Sequence, residues 1–406
     1  MDLLCLMGLF PKEYEETILK NSIGGVQNAA NKFQWGIVKG LDEMENIQFK
    51  ILNSLYIGSY PKRYRELQIP SFKFCHVKTS EDFNIGFTNL TVIKNMSRYF
   101  GIKREIDKWA VSNTGENKAI IAYAMASPFV EILNYVKKKY PYITCCLVVP
   151  DLPEYMNASL MEKKIYKILK KLQVYYFKKK LKPVDCYVLL TKYMREWFDW
   201  EIKYAVIEGI SSRESCDFKK SGDNKKKAIV YAGMIEEKYG VLDLVKAFMQ
   251  IENPEWTLEL FGSGSSLGDI EKLSRQDSRI HIRGMVSNDK VIEEQKEAEL
   301  LVNPRNDSHK FTKYSFPSKV IEYMSSGTPM MGYKLSGMPD EYESFFYKID
   351  EGKNGMKNTL QRVMNLSSEE RIVKGEKALQ FIIQEKSAKQ QCKKMIDLIN
   401  DSVQVD

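Results

Sequence analysis

Ser318, Lys319 and Glu322 stand within a stretch, Phe311 to Pro329, whose residue types suit the capture of a phosphorylated sugar. Pro317 fits the first turn of a helix, where a missing N–H costs nothing. Val320, Ile321 and Met324 then recur at helical spacing, and Gly327 followed by Pro329 stops the helix. A Ser- and Lys-rich loop therefore runs into a helix N-terminus, where free backbone N–H groups and the helix dipole concentrate positive potential. Lys319 adds a full charge, and Glu322, about one turn further in, is placed to accept hydrogen bonds from sugar hydroxyls. The same residues also suit an ordinary capped helix with a solvated Lys and Glu. The spacing alone leaves both readings open.

Buried strands alternating with helices must carry this segment. In the first half, Leu3–Met7, Phe49–Tyr56, Lys118–Ala124, Ile143–Val149 and Cys186–Leu190 read as strands. Helical spacing covers Asn28–Leu41, Thr91–Val111 and Pro128–Lys139, with a further helix around Met194–Trp200 and a short strand at Ala205–Ile210. In the second half, Ala228–Gly233, Thr257–Gly264, Ile280–Gly284 and Ala298–Val302 are strands, and Met330–Tyr333 follows the Ser318 helix. Helices are expected at Leu242–Ile251, Gly355–Leu366, Glu369–Ile383 and Ala388–Ile399. This alternation predicts α/β domains with parallel sheets and helices on both faces, and ligands beyond the carboxyl ends of the strands. Asp151, framed by Pro150 and Pro153, sits at one such end; it suits either a site carboxylate or a helix cap. Gly24-Gly25, read as a strand-to-helix junction ahead of the Asn28 helix, permit close backbone approach by a ligand. The polar stretch Ser211–Lys227 reads as a linker, and 406 residues suit two domains of ordinary size, 1–212 and 225–385.

Composition excludes several classes. No apolar run is long enough to span a membrane, and Leu3–Phe10 lacks the flanks of a signal peptide. Seven scattered cysteines suit reduced thiols in the cytoplasm. With three histidines and neither C-x-x-C nor H-E-x-x-H, no metal site is expected. The net charge of +8 points to anionic partners. From Met161 to Lys182 nine lysines, among them Lys170, Lys171, Lys178 and Lys179, interleave with aliphatic and aromatic residues as a cationic amphipathic helix. That pattern suits an anionic membrane surface or a merely solvated face, and no nucleic-acid module accompanies it.

Ser315-Phe316-Pro317-Ser318-Lys319, then Glu322-Tyr323-Met324 and Ser326-Gly327-Thr328-Pro329, resemble the donor-binding signature of the retaining glycosyltransferases of family 4, in the form similar to enzymes of bacterial surface polysaccharide synthesis. The resemblance is tight over about 228–343 and looser before. It implies a GT-B architecture of two doubly wound domains, with the 388–399 helix returning to the first. It implies a metal-independent transfer from a nucleoside-diphosphate sugar, a UDP-sugar foremost, to a glycan or polyprenyl-linked acceptor at the inner membrane surface, with no cofactor beyond the substrate nucleotide. The basic helix is implied to face the membrane. Ser318, Lys319 and the helix N-terminus would hold the diphosphate, Glu322 the ribose, and Gly24-Gly25 would close over the phosphates. Asp151 would face the reacting sugar where the family often has His. Gly233, Gly240 and Gly264 match the glycines of the donor loops, and Arg283 ends the strand beside the nucleobase. Three positions depart: Tyr314 replaces the first signature glutamate, Met234 an arginine and Tyr239 a lysine, with Lys238 one residue early. Lys238, Lys319, Arg305 or Lys313 would then supply the charge. His309 is a candidate by proximity alone, and His281 reads as a strand residue. An epimerase of the same architecture and a silent nucleotide- or partner-binding relative are the alternative readings.

Overall fold

The computed structural model describes residues 1–45, 47–91, 93–112, 117–155, 164–211, 225–308 and 310–403, so the His309 candidate and most of the expected linker lie outside the described residues. Contacts divide the chain into two compact units, Met1–Ile210 together with Ala388–Asp406, and Ser211–Ser387.

The first unit holds strands β1 (Asp2–Met7), β2 (Gln48–Asn53), β3 (Gln68–Ile69), β4 (Phe72–Phe74), β5 (Asp82–Asn84), β6 (Phe87–Thr88), β7 (Lys118–Tyr123), β8 (Thr144–Val149), β9 (Cys186–Leu189) and β10 (Lys203–Val206). Its helices are α1 (Glu15–Asn21), α2 (Asn28–Asp42), α3 (Lys94–Val111), α4 (Phe129–Lys139) and α5 (Lys164–Leu181). The main sheet runs β10-β9-β8-β7-β1-β2-β5-β4. Continuous apolar runs such as Leu3–Met7 and Cys145–Val149 are what a strand covered on both faces requires, and these residues are fully buried. All pairs are parallel except β4 with β5, whose connection is too short for a parallel crossover. The β3–β6 ribbon and α1 lie in stretches whose sequence carries no clear periodicity.

Three expectations need correction here. The second strand ends at Asn53, because the Ser54 carbonyl accepts from Arg98 Nη2 (2.8 Å) instead of extending the ladder. Gly24-Gly25 follow α1 and so join two helices, not a strand and a helix. The helix expected near Met194 is a 3-10 turn, Lys192–Trp197.

The second unit carries β11 (Lys226–Ala232), β12 (Thr257–Phe261), β13 (Ile280–Gly284), β14 (Ala298–Asn303), β15 (Met330–Gly332) and β16 (Tyr347–Lys348), all parallel in the order β13-β12-β11-β14-β15-β16. Around them lie α6 (Val241–Met249), α7 (Leu267–Ser274), α8 (Asn288–Glu297), α9 (Ser318–Ser326), α10 (Gly355–Met364) and α11 (Ser368–Glu385). The last helix, α12 (Ala388–Asn400), packs on α2 of the first unit. A Cβ at Gly40 would meet the Ala388 carbonyl at 2.2 Å, so glycine there lets the two helices touch.

Both sheets reverse their strand order between parallel neighbours, at β1/β7 and at β11/β14. A doubly wound sheet opens a crevice beyond the strand ends at such a reversal.

Candidate active site

In the second unit the reversal point places two loops beside each other, Gly233-Met234 after β11 and Pro304-Arg305 after β14. The glycines here are demanded by packing. Gly262, at φ +131°, would put a Cβ 1.8 Å from the Gly233 carbonyl, and one at Gly264 would lie 2.2 Å from that of Ile235. Gly240, at φ +73°, would reach within 2.3 Å of the Pro304 carbonyl. Backbone bonds from Gly233 N to Phe261 O (2.9 Å) and from Ile235 N to Ser263 O (2.9 Å) lock the loops together. Met234 is about half exposed, and the Tyr231 hydroxyl donates to its carbonyl at 2.7 Å.

Helix α9 opens beside this cluster. Pro317 is its N-cap residue and makes no side-chain cap; Val320 N donates to the Pro317 carbonyl at 2.9 Å, which leaves the N–H groups of Ser318 and Lys319 to other acceptors. Ser318 is exposed at the first helical position. Val320, Ile321, Tyr323 and Met324 are buried on the inner side, each worth roughly 1.5–3 kcal/mol of apolar burial for the aliphatic members. Tyr323 reaches β11: its hydroxyl accepts from Ala232 N at 2.9 Å and donates to Ala232 O at 3.2 Å. Burial pushes that phenol far above its usual range. Gly327, at φ +78°, ends the helix.

The charged candidates differ in how free they are. Lys319 donates to Glu322 at 2.7 Å, and the same carboxylate oxygen accepts from Gln295 at 3.0 Å. Lys238 pairs with Glu236 at 2.6 Å, which raises its pKa above the ordinary lysine value. Arg305 makes no ion pair among the described residues. Its Nη2 donates to Ser315 Oγ at 2.7 Å and its guanidinium lies 5.0 Å from the Phe311 ring, while burial lowers its pKa from the usual arginine value. Tyr314 is half-buried with Lys313 Nζ 5.5 Å from its ring centre.

Two donor candidates are placed elsewhere by packing. The Phe316 side chain belongs to the core, 5.3 Å from the Tyr342 ring, so it anchors the loop and does not face a ligand. Arg283 donates from Nε to Glu259 at 2.7 Å, beside His281, on a sheet face that opens into a hollow of about 480 Å³ with Lys290 and Glu294. No hydrogen bond or ion pair among the described residues links Arg283 to the glycine turns.

In the first unit, Asp151 follows β8 at the carboxyl end of the sheet. The residue is exposed at its surface, yet the protein atoms crowding its carboxyl desolvate it enough to raise it to about 6. A cluster that the sequence reading missed sits at the neighbouring reversal point. The Tyr56 hydroxyl donates to Tyr123 O (3.0 Å) and accepts from Ala124 N (2.8 Å), joining the β2 loop to the end of β7. Buried Arg98 grips Ser54 and lies 5.5 Å from the Tyr56 ring centre and 5.4 Å from that of Phe129, beside this stacked pair. The signal was available: Lys94, Arg98, Ile102, Ile106 and Ala110 recur every four residues, two cations within an otherwise apolar stripe. Gly24, at φ +86°, and Gly25 have open space on their Cβ sides.

Helix α5 does not present its lysines as expected. Lys170 is buried and donates to Gln173, and Lys178 pairs with Asp199 at 3.5 Å beside the Trp197 ring. Lys171 and Lys179 are exposed, and between them Leu172 (60 % exposed) and Tyr175 (71 %) reach solvent. The helix turned a different face inward because Phe177 and Leu181 are its buried apolar anchors. No helix among the described residues is long and apolar enough to cross a membrane, and none of their His, Cys, Asp and Glu side chains group to hold a metal ion.

Residues 226–366 match the family model described as glycosyl transferases group 1. No curated protein matches the chain. Among solved structures, sucrose-phosphate synthase from Thermosynechococcus elongatus is 15% identical with a TM-score of 0.64, covering 99% of both chains. The apo lipopolysaccharide outer core galactosyltransferase WaaB is 14% identical with a TM-score of 0.60, again over 99% of both. HepE of Anabaena in complex with UDP is 11% identical with a TM-score of 0.59, over 99% of this chain and 100% of that one. The chain adopts the GT-B fold, and its second unit carries a glycosyl transferases group 1 domain.

Proposed function

We propose that the protein is a retaining, metal-independent glycosyltransferase of family 4 that moves a hexose from a nucleoside-diphosphate sugar, UDP-linked, to a hydroxyl of a glycan or lipid-linked saccharide. The observation that carries this reading is the uncapped N-terminus of α9, with Ser318 exposed, opening beside the β11/β14 reversal point inside the group 1 domain. In the transfer, the bond from the anomeric carbon to the diphosphate oxygen breaks and its electron pair leaves on the phosphate. The acceptor oxygen bonds that carbon and gives its proton to the departing phosphate. Charge stabilisation of that leaving group is the main demand on the protein. Ser318 and the α9 N–H groups meet it in part, and Glu322 takes the ribose hydroxyls. Asp151, whose carboxyl burial raises to about 6, is the residue of the first unit proposed to take part in the transfer.

Surface polysaccharide synthesis at the inner membrane surface is the setting this reading favours, supported by a neighbour named for lipopolysaccharide outer core galactosyl transfer. Exposed Lys171 and Lys179 flanking Leu172 and Tyr175 suit an anionic lipid surface. Sedimentation with anionic vesicles tests the setting: Lys171→Glu with Lys179→Glu is expected to abolish binding, and undiminished binding overturns the role of α5. The activity is tested by titrating UDP and following thermal unfolding. A ligand at 100 times its dissociation constant adds about 2.7 kcal/mol. No shift with any nucleoside diphosphate defeats the reading. A second reading, a silent nucleotide-binding relative, is favoured by Met234 and Tyr239 at the two cation positions; a shift with UDP but no transfer from any UDP-sugar would select it.

A further inference from the structure

We propose that Arg305 is the cation that neutralises the departing diphosphate in this protein, in place of the two cations absent at Met234 and Tyr239; the proposal rests on the transferase reading above. Three observations single it out. Its position comes first: Arg305 follows β14 directly, at the strand reversal where β14 lies against β11, next to the Gly240 turn that packs on the Pro304 carbonyl. A doubly wound sheet opens its ligand crevice at that point. Tyr239, at the vacated lysine position, and Asp307 are both close enough to act on the Arg305 charge, yet burial prevails and lowers its pKa.

The second observation is that two of its rivals, Lys319 and Lys238, are spent. Lys319 is neutralised by Glu322 at 2.7 Å and Lys238 by Glu236 at 2.6 Å. A phosphate approaching either lysine also approaches a carboxylate, and the like charges offset the gain. Arg305 has no ion pair among the described residues.

Third, the guanidinium is held but not satisfied. Phe311 flanks it and Ser315 Oγ accepts from Nη2 at 2.7 Å, while Nε is buried without a hydrogen-bond partner among the described residues. A buried donor left unmade is costly, and an incoming acceptor would satisfy it. The planar fork matches two phosphate oxygens at once, which a lysine cannot do. Ser315, three residues ahead of Ser318, ties this fork to the loop that enters α9, so one phosphate group can meet the guanidinium and the helix N–H groups together.

The test is calorimetric titration of the full chain with UDP and, separately, with uridine, which lacks the phosphates. Arg305→Gln is expected to weaken UDP binding at least about tenfold (~1.4 kcal/mol) and to leave uridine binding unchanged. Arg305→Lys is expected to recover part of the loss. Lys319→Gln is expected to cost less than Arg305→Gln, because Glu322 already offsets its charge. Ser315→Ala, which frees the fork without removing charge, is expected to give an intermediate loss and serves if Arg305→Gln does not fold. Wild-type binding of UDP with equal affinity in Arg305→Gln, or equal losses for UDP and uridine, overturns the assignment alone. Absence of binding of any nucleoside diphosphate to the wild type overturns the assignment together with the functional reading.

Discussion

The two reversal points solve one problem by opposite means. At β11/β14 the loops touch backbone to backbone: Gly262 lies against the Gly233 carbonyl and Gly240 against that of Pro304, with no side chain between them. At β1/β7 the loops are held apart and bridged by large side chains, Tyr56 spanning to Tyr123 and Ala124 while Arg98 secures Ser54. Gly8 lies against the Tyr56 ring, where a Cβ would meet it at 2.5 Å. Backbone-to-backbone packing satisfies the N–H groups of Gly233, Ile235 and Gly262 on neighbouring carbonyls, and the half-buried Arg305 beside them is held by Ser315. Side-chain packing produces a stiff floor whose cation is used up internally. A bare glycine loop and a bridged aromatic loop therefore report different duties even on similar sheets.

The largest break in this contrast is expected from Gly262→Ala. A methyl 1.8 Å from a carbonyl cannot be accommodated, and the φ of +131° strains any side chain. A loss above about 3 kcal/mol is expected in urea unfolding of the second unit, with UDP binding abolished. Arg98→Met should break the other side. It leaves the Ser54 carbonyl without its donor and should cost about 1–3 kcal/mol in the first unit's unfolding, with UDP affinity unchanged. Loss of UDP affinity in this variant would mean the two clusters are not separable.

A third prediction uses pH. His76 is held between Asp82 (2.6 Å) and Asp42 (3.2 Å), and although burial opposes its charge, the two carboxylates raise it to about 9. Its folded pKa exceeds the unfolded value near 6.5, so its contribution is complete below that pH and is lost as pH rises through about 9. Midpoints of urea unfolding measured from pH 6 to 9.5 should fall for the wild type and fall less for His76→Gln. The smallest effect is expected from Ser367→Ala, which removes the capping box of α11 with Glu370 and should cost about 1 kcal/mol in the second unit only.

Helix and strand positions were largely readable because they depend on local pattern. The helix expected over Asn28–Leu41 spans Asn28–Asp42, and that expected over Ala388–Ile399 spans Ala388–Asn400. Side-chain direction was less readable. Lys170 looks like its neighbours in a run of lysines, and only the docking of Phe177 and Leu181 turned it inward. Phe316 reads as part of a binding loop until Tyr342, from 26 residues later, appears against it. Arg283 ends a strand as a site residue should, but the alternation of the strand sends it to Glu259.

By itself the chain determined its α/β class, the stop of α9 at Gly327 and the glycines of the turns at the β11/β14 reversal, because periodicity and backbone conformation are carried by a few adjacent residues. Only the tertiary structure decided which cations are spent and which is left. Lys319 and Lys238 find carboxylates within one turn of themselves, whereas Arg305, although Asp307 acts on its charge, makes no ion pair among the described residues. Charge balance is a sum over neighbours in space, and those neighbours come from strands distant in the chain.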